Sequence, residues 1–165
     1  MEIITATKKD IPLIQELAKK SWDAAYAHLL SRGQIDYMLS EMYSEKEIAT
    51  HLDHPDWQYW LVKDNDGNYG GLVGYQWDYE PATTKLHRIY MLPETKGKGL
   101  GKYALGTLKR RVKDRNNTRI ILNVNKYNTA KAFYESQGFS VYDEGVFDIG
   151  NGYVMDDYLM EWRME

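Results

Sequence analysis

Between Lys96 and Tyr103 the chain reads KGKGLGKY, three alternating glycines and three lysines with no acid. No other stretch constrains the fold as much. Ahead of it, KLHRIYML (85–92) is strand-like and stops at Pro93. Behind it, Leu100, Ala104, Leu108 and Val112 recur at the spacing of one helix face. A glycine turn must therefore join a strand to a helix start. Alternating glycines let successive N–H groups point inward. The helix N-terminus adds partial positive charge, and Lys96, Lys98 and Lys102 add full charges. In a chain of formal net charge −3, this describes a backbone cradle for a pyrophosphate that needs no metal.

Two nucleotide motifs compete for the same residues, and both fail at named positions. A Walker A loop needs glycine where Lys96 stands and a magnesium-binding hydroxyl where Tyr103 stands. A dinucleotide fingerprint can be laid on Gly99, Gly101 and Ala104. The following strand, RIILNV (119–124), then offers Asn123 where an acid should hold a ribose hydroxyl.

The rest of the chain alternates clearly enough to order its elements. EIITA (2–6) reads as an edge strand. Thr7 and Asp10 form a capping-box pattern ahead of Ile11, Ile14, Leu17, Ala18, Trp22 and Ala25, with Pro12 in the first helical turn. A second helix is predicted over 34–43, and Ser44 with Glu47 caps a third over 45–52. QYWLVKD (58–64), GGLVGYQWDY (70–79) and KLHRIYML then read as an antiparallel meander, with a turn at NDGN (65–68). After the long helix and RIILNV comes a short helix, TAKAFYESQ (129–137), closed by Gly138. A hairpin about Gly150-Asn151-Gly152 ends the chain. This order predicts an α+β domain over residues 1–165, with a mixed, mainly antiparallel central sheet flanked by helices.

Composition removes several function classes. The absence of cysteine excludes a disulfide framework, a thiolate zinc site and a cysteine nucleophile. The first residues carry no signal-peptide pattern, and no apolar run is long enough for a membrane span. A cytoplasmic protein is expected, without nucleic-acid or membrane partners, as monomer or homodimer. His51 and His54 lack a nearby third ligand, so no metal is expected. The 14 tyrosines and five tryptophans fit either a packed aromatic core or a wide amphipathic pocket.

IYMLPETKGKGLGKYAL resembles the acetyl-CoA-binding motif of the GNAT superfamily of N-acetyltransferases, and VNKYNTAKAFYESQGF resembles that family's fifth strand and following helix. The family pattern carries Gln or Arg where Lys96 stands. The resemblance covers most of the chain and is weakest in the helices before the meander. It implies a GNAT-like acyl-CoA N-acyltransferase fold, acetyl-CoA as cosubstrate, and direct attack of an amine without an acetyl-enzyme. It further implies that Ile89, Tyr90 and Met91 hold the pantetheine arm through backbone groups, and that Lys96, Gly97, Lys98, Gly99, Leu100, Gly101 and Lys102 hold the pyrophosphate. Many members place an asparagine where Tyr127 stands here, so Asn128 or Asn123 is expected to take over that contact.

By the same resemblance Tyr134 is the general acid that protonates the leaving thiolate. A phenol, with an ordinary pKa of about 10, can do this. His87 occupies the position of a glutamate base in many relatives, and an imidazole suits a base acting through water. The acceptor should be a primary amine. Trp22, Tyr26, Asp36, Tyr37, Asp156 and Asp157 come from the two regions where family members often build the acceptor pocket, and acids among aromatics suit a cationic chain. A diamine or polyamine is expected first. A peptide N-terminus, a lysine, an aminoglycoside, and a non-catalytic CoA-binding regulatory role are the alternatives.

Overall fold

A computed structural model describes residues 1–165. Its strands are β1 (Glu2–Thr5), β2 (Trp57–Lys63), β3 (Tyr69–Glu80), β4 (Thr83–Met91), β5 (Arg119–Asn125), β6 (Ser140–Gly150) and β7 (Tyr153–Arg163). The helices are α1 (Ile11–Tyr26), α2 (Arg32–Met42), α3 (Glu45–Asp53), α4 (Leu100–Asp114) and α5 (Ala130–Ser136). The strands form one sheet in the order β1-β2-β3-β4-β5-β7-β6, antiparallel everywhere except between β4 and β5. The predicted mixed, mainly antiparallel sheet is thus present, as is the β2–β3–β4 meander.

Each sheet face buries a separate core. On one, Leu100, Leu105, Leu108 and Val112 of α4 and Tyr134 of α5 pack on Trp60, Val73, Ile120, Leu122 and Val124. On the other, Ile14, Leu17 and Trp22 of α1, Ile35 of α2 and Ile48 of α3 pack on Tyr59, Leu61 and Leu72. Trp22, Trp60, Tyr59 and Tyr75 are almost wholly enclosed, so much of the aromatic content is core.

Local signals account for most element ends. The Asp10 carboxylate accepts from Thr7 N–H at 2.9 Å, closing a 3₁₀ turn that leads into α1. Ser31 Oγ accepts from Gln34 N–H at 3.1 Å, so α2 starts at Arg32, earlier than predicted. Ser44 caps α3 as expected, but the Glu47 carboxylate turns to His51 Nε2 at 3.1 Å, so the capping box is only half formed. Gly138 (φ +89°) ends the segment of α5, where Phe139 N–H reaches back to the Tyr134 carbonyl.

The feature that creates the site is a divergence of two strands. β4 and β5 pair only over Thr83–Lys85 and Arg119–Ile121. At the next residues β4 carries a bulge: Gly74 and Tyr75 of β3 face Arg88 and Leu86, leaving His87 extra. Beyond the bulge the edge of β4 that faces β5 has no strand partner, while β5 continues its ladder with β7 to Asn125.

Candidate active site

A groove of about 700 Å³ opens over the divergent strands, between the start of α4 and one side of α5. Its lining is the glycine turn read backwards from the helix: Lys102, Gly101, Leu100, Gly99, Gly97 and Lys96. Gly97 (φ +81°) and Gly99 (φ +79°) are left-handed, a conformation that a side chain would strain. Gly101 is required for another reason. A Cβ there would stand 3.1 Å from the Phe133 ring, so its absence lets α5 approach α4. The first N–H groups of α4 find no protein acceptor, as at any helix start, and here they face the groove with two lysines free of any acidic partner.

Nine of the twelve residues expected to hold the cosubstrate line this groove: Ile89, Met91, Lys96, Gly97, Gly99, Leu100, Gly101, Lys102 and Asn128. Lys98 does not line it. Tyr90 and Asn123 line a smaller cavity of about 70 Å³ that continues inward between the separated strands. Strand alternation explains the split. Ile89 and Met91 pack toward α4, whereas Tyr90 points to the opposite face, against Trp22 and Tyr43.

Ile89, Asn128, Ala130 and Tyr134 belong to both spaces, and so mark their junction. Tyr134 is buried. Burial first, then the neighbouring Tyr90 and Tyr26 phenols, push its pKa well above the ordinary tyrosine value, so the hydroxyl keeps its proton throughout the neutral range. Asn128 Nδ2 donates to the Tyr26 hydroxyl at 3.2 Å, while its Oδ1 accepts from Ala130 N–H at 2.9 Å at the start of α5.

The six residues expected at the acceptor end divide. Tyr26 lines the inner cavity, and Trp22 packs on it with ring centroids 4.5 Å apart. Asp157 lies on the same sheet face as Met155, which packs with Tyr26 in the second core. It is 7% exposed, and its Oδ1 is buried without a hydrogen-bond partner. Burial raises its pKa, and the Asn123 amide and the Lys85 charge pull it partly back. Asp156, one residue away, faces the other side and pairs with Lys126 at 3.1 Å. Asp36 is held by Arg32 at 2.6 Å on the surface of α2. Tyr37 donates to the Ile149 carbonyl at 3.0 Å and packs on Tyr153, which fastens α2 to the β6–β7 hairpin.

His87 stands at the bulge. Its ring stacks on Trp57 with centroids 4.2 Å apart, and Nε2 is 3.2 Å from Gln76 Oε1. Burial, then the charges of Lys85 and Arg88, depress its pKa to about 3. His51 and His54 are separately engaged. His51 Nδ1 meets the Tyr59 hydroxyl at 2.8 Å, and His54 Nδ1 accepts from Asp56 N–H at 3.1 Å.

Sequence reading did not single out Thr95, Thr129, Ala130, Phe133 or Gln137, all of which line the groove. The α5 residues had a usable signal. Ala130 and Gln137 stand four before and three after Tyr134, and so share its helix face.

Residues 15–139 match the Acetyltransferase (GNAT) family. The chain belongs to that family and is accordingly an acetyl-CoA-dependent N-acetyltransferase. It is 22% identical, over 92% of its length and 91% of the relative's, to an uncharacterized N-acetyltransferase from the pepI 3′ region of Lactobacillus delbrueckii subsp. lactis. Its fold matches the PaiA N-acetyltransferase of Thermoplasma acidophilum, solved with coenzyme A, at a TM-score of 0.82 and 23% identity over 98% of both chains. It also matches a spermidine N-acetyltransferase SpeG chimera built from Vibrio cholerae and hSSAT sequences, at 0.73 and 22% identity over 98% of this chain and 94% of the other.

Proposed function

We propose that this enzyme acetylates the primary amine of a small cationic acceptor, with diamines and polyamines first among them. The observation that carries this reading is the Asp157 carboxylate. It is buried, its Oδ1 has no partner, and it lies close enough to Tyr26 and Tyr90, which line the inner cavity, for its charge to act on both phenols. An unpaired buried carboxylate is costly, and an acceptor ammonium flanked by Trp22, Tyr26 and Tyr90 would relieve that cost through an ion pair and cation–π contact. The fold likeness to a spermidine N-acetyltransferase supports the same acceptor class.

The residues divide the work of the transfer. Lys96, Lys102 and the N–H groups at the start of α4 hold the pyrophosphate of acetyl-CoA. The unpaired edge of β4 at Ile89–Met91 holds the pantetheine arm, and an N–H of that edge polarises the thioester carbonyl. The thioester supplies an activated acetyl group. Tyr134, protonated and at the junction of the two spaces, gives its proton to the departing sulfur. His87 is poorly suited to taking a proton from the amine, since burial and then the Lys85 and Arg88 charges leave its ring little basicity, and it is committed to Trp57 and Gln76.

Thiol release from acetyl-CoA, followed across diamines, polyamines, lysine, a peptide N-terminus and an aminoglycoside, tests this. The expected result is the highest kcat/KM with a diamine or polyamine. Preference for a peptide or an aminoglycoside overturns the acceptor assignment. Tight CoA binding with no turnover on any amine overturns the catalytic reading and leaves a CoA-binding regulatory domain.

A further inference from the structure

We infer that Asp157 is also the group that takes the proton from the acceptor ammonium, the catalytic base of the reaction. The inference rests on the proposed function above, because it requires an amine bound at the inner cavity.

Three observations carry it. First, Asp157 has the exposure of a core residue, 7%, yet Oδ1 has no hydrogen-bond partner. A structural buried carboxylate is normally saturated with donors, so this oxygen has an unfilled hydrogen-bonding capacity close to the cavity-lining Tyr26 and Tyr90. Second, its placement is fixed by register. β7 pairs Asp157 with Asn125 and Leu159 with Asn123, so Asp157 and Asn123 are diagonal neighbours on one face, and Asn123 lines the cavity. Third, no cation forms an ion pair with it, and Lys85 acts on it only as a more distant charge. Lys126, the cation of the adjacent turn, is taken by Asp156 and Glu144 on the other side.

The charged and titratable groups around Asp157 come from every element packed on it. Tyr26 of α1 and Tyr90 of β4 both feel its charge. Lys85 of β4 and the Asn123 amide of β5 favour the carboxylate, whereas Asp156 of β7 opposes it. On β6 its register partner is Gly145, which brings no charge. Burial outweighs the favourable terms and raises the carboxyl pKa. A more basic carboxylate narrows the gap to an alkylammonium, which is what a base needs.

The proton ledger closes without another reactant. The acceptor enters as an ammonium, pairs with Asp157 and passes one proton to it. The freed lone pair attacks the thioester carbonyl, a C–N bond forms and the C–S bond breaks. Sulfur takes the Tyr134 proton, and the nitrogen's second proton restores the phenol through solvent. Asp157 releases its own proton to solvent. The products are the acetamide, CoA thiol and one proton.

Asp157→Asn is nearly isosteric and removes the base together with the charge that pairs with the ammonium, so kcat and KM are read separately. Its kcat/KM is measured against pH, and against a series of monoamines of falling basicity, with CoA affinity checking the fold. The expected loss is on the order of 10²-fold for a strongly basic amine at neutral pH. It should shrink toward less than tenfold for a weakly basic amine that is already neutral, and shrink again as pH rises. A rise in KM with kcat and pH profile unchanged overturns the inference and leaves Asp157 a binding residue. A loss independent of amine basicity overturns it too. If Asp157→Asn does not fold, the wild-type enzyme decides with a strongly basic amine. A kcat/KM that levels off well below the amine's own pKa supports the base, and one that keeps rising with pH up to the amine's pKa overturns it. Absence of wild-type turnover with every amine, despite CoA binding, instead overturns the proposed function.

Discussion

The Asn128 amide and the Tyr26 hydroxyl meet at 3.2 Å and tie the start of α5 to the last turn of α1. This is a bond between the two walls of the site, one carrying Tyr134 and the other Trp22 and Tyr26, the aromatics proposed for the acceptor. Asn128→Ala removes this bond and the one to Ala130 N–H, leaving a buried phenol hydroxyl unpaired. We expect a loss of about 1–3 kcal/mol in urea unfolding. Tyr26→Phe alone should cost less, and the double variant should cost less than the sum of the two. Strict additivity in this cycle would show that the contact carries no coupling.

The three lysines of the glycine turn are not equivalent. Lys96 and Lys102 line the groove, and Lys98 does not. Lys96→Ala and Lys102→Ala should each weaken CoA binding about two- to fivefold, as expected for exposed charges near a helix start. Lys98→Ala should have a smaller effect. Raising salt should reduce the differences among the variants. Isothermal titration reads all of these, and an equal loss for all three lysines would displace the pyrophosphate from the groove.

Acid should destabilise the fold through two partly buried histidines. His87 is held near pKa 3 and His51 near pKa 4. In both cases burial is the leading cause, with the buried Arg88 cation contributing. Their unfolded values are about 6.5. Since the folded values are depressed, the stability they contribute is complete above pH 6.5 and is lost as pH falls toward 4. Linkage gives a loss on the order of 2 kcal/mol per histidine by pH 5. His87→Phe keeps the stacking on Trp57 and removes one titration, so its unfolding midpoint should fall less steeply between pH 6.5 and 5. Parallel pH profiles for variant and wild type would contradict this.

The cosubstrate side was far more legible in the sequence than the acceptor side, and the reason is physical. A pyrophosphate cradle is local. Glycines at 97, 99 and 101, the lysines and the helix start lie within a few residues of one another, so the sequence displays them together. Even there, Lys98 and Tyr90 show that adjacency does not fix which way a side chain points; only strand alternation and the turn geometry decide that. The acceptor end proposed above draws on α1, β4, β5 and β7. Asp36, Asp156 and Asp157 look alike in the sequence. What separates them is pairing: Arg32 holds the first and Lys126 the second, while the β5–β7 register buries the third beside the cavity. The β4 bulge, which ends the short β4–β5 ladder and opens the cleft, has no signature in KLHRIYML beyond the residues themselves.

Tyr134 offers the cleanest separation of chemistry from structure. Its ring packs against Phe133 and Phe139, and burial, not a hydrogen bond, is the main influence on its pKa. Tyr134→Phe keeps the ring and removes only the hydroxyl, so the thermal midpoint should hardly move. The rate should fall on the order of 10²-fold if the hydroxyl protonates the leaving sulfur. Because the folded pKa lies above the ordinary tyrosine value, the phenol stays protonated up to at least about pH 10. The loss should therefore be uniform from pH 6 to 9, and Tyr134 should contribute no alkaline limb in that range. Stopped-flow thiol release across this interval checks both points. Unchanged turnover at several pH values would remove Tyr134 from the mechanism, and a loss that varied with pH would mean that the phenol titrates within the working range.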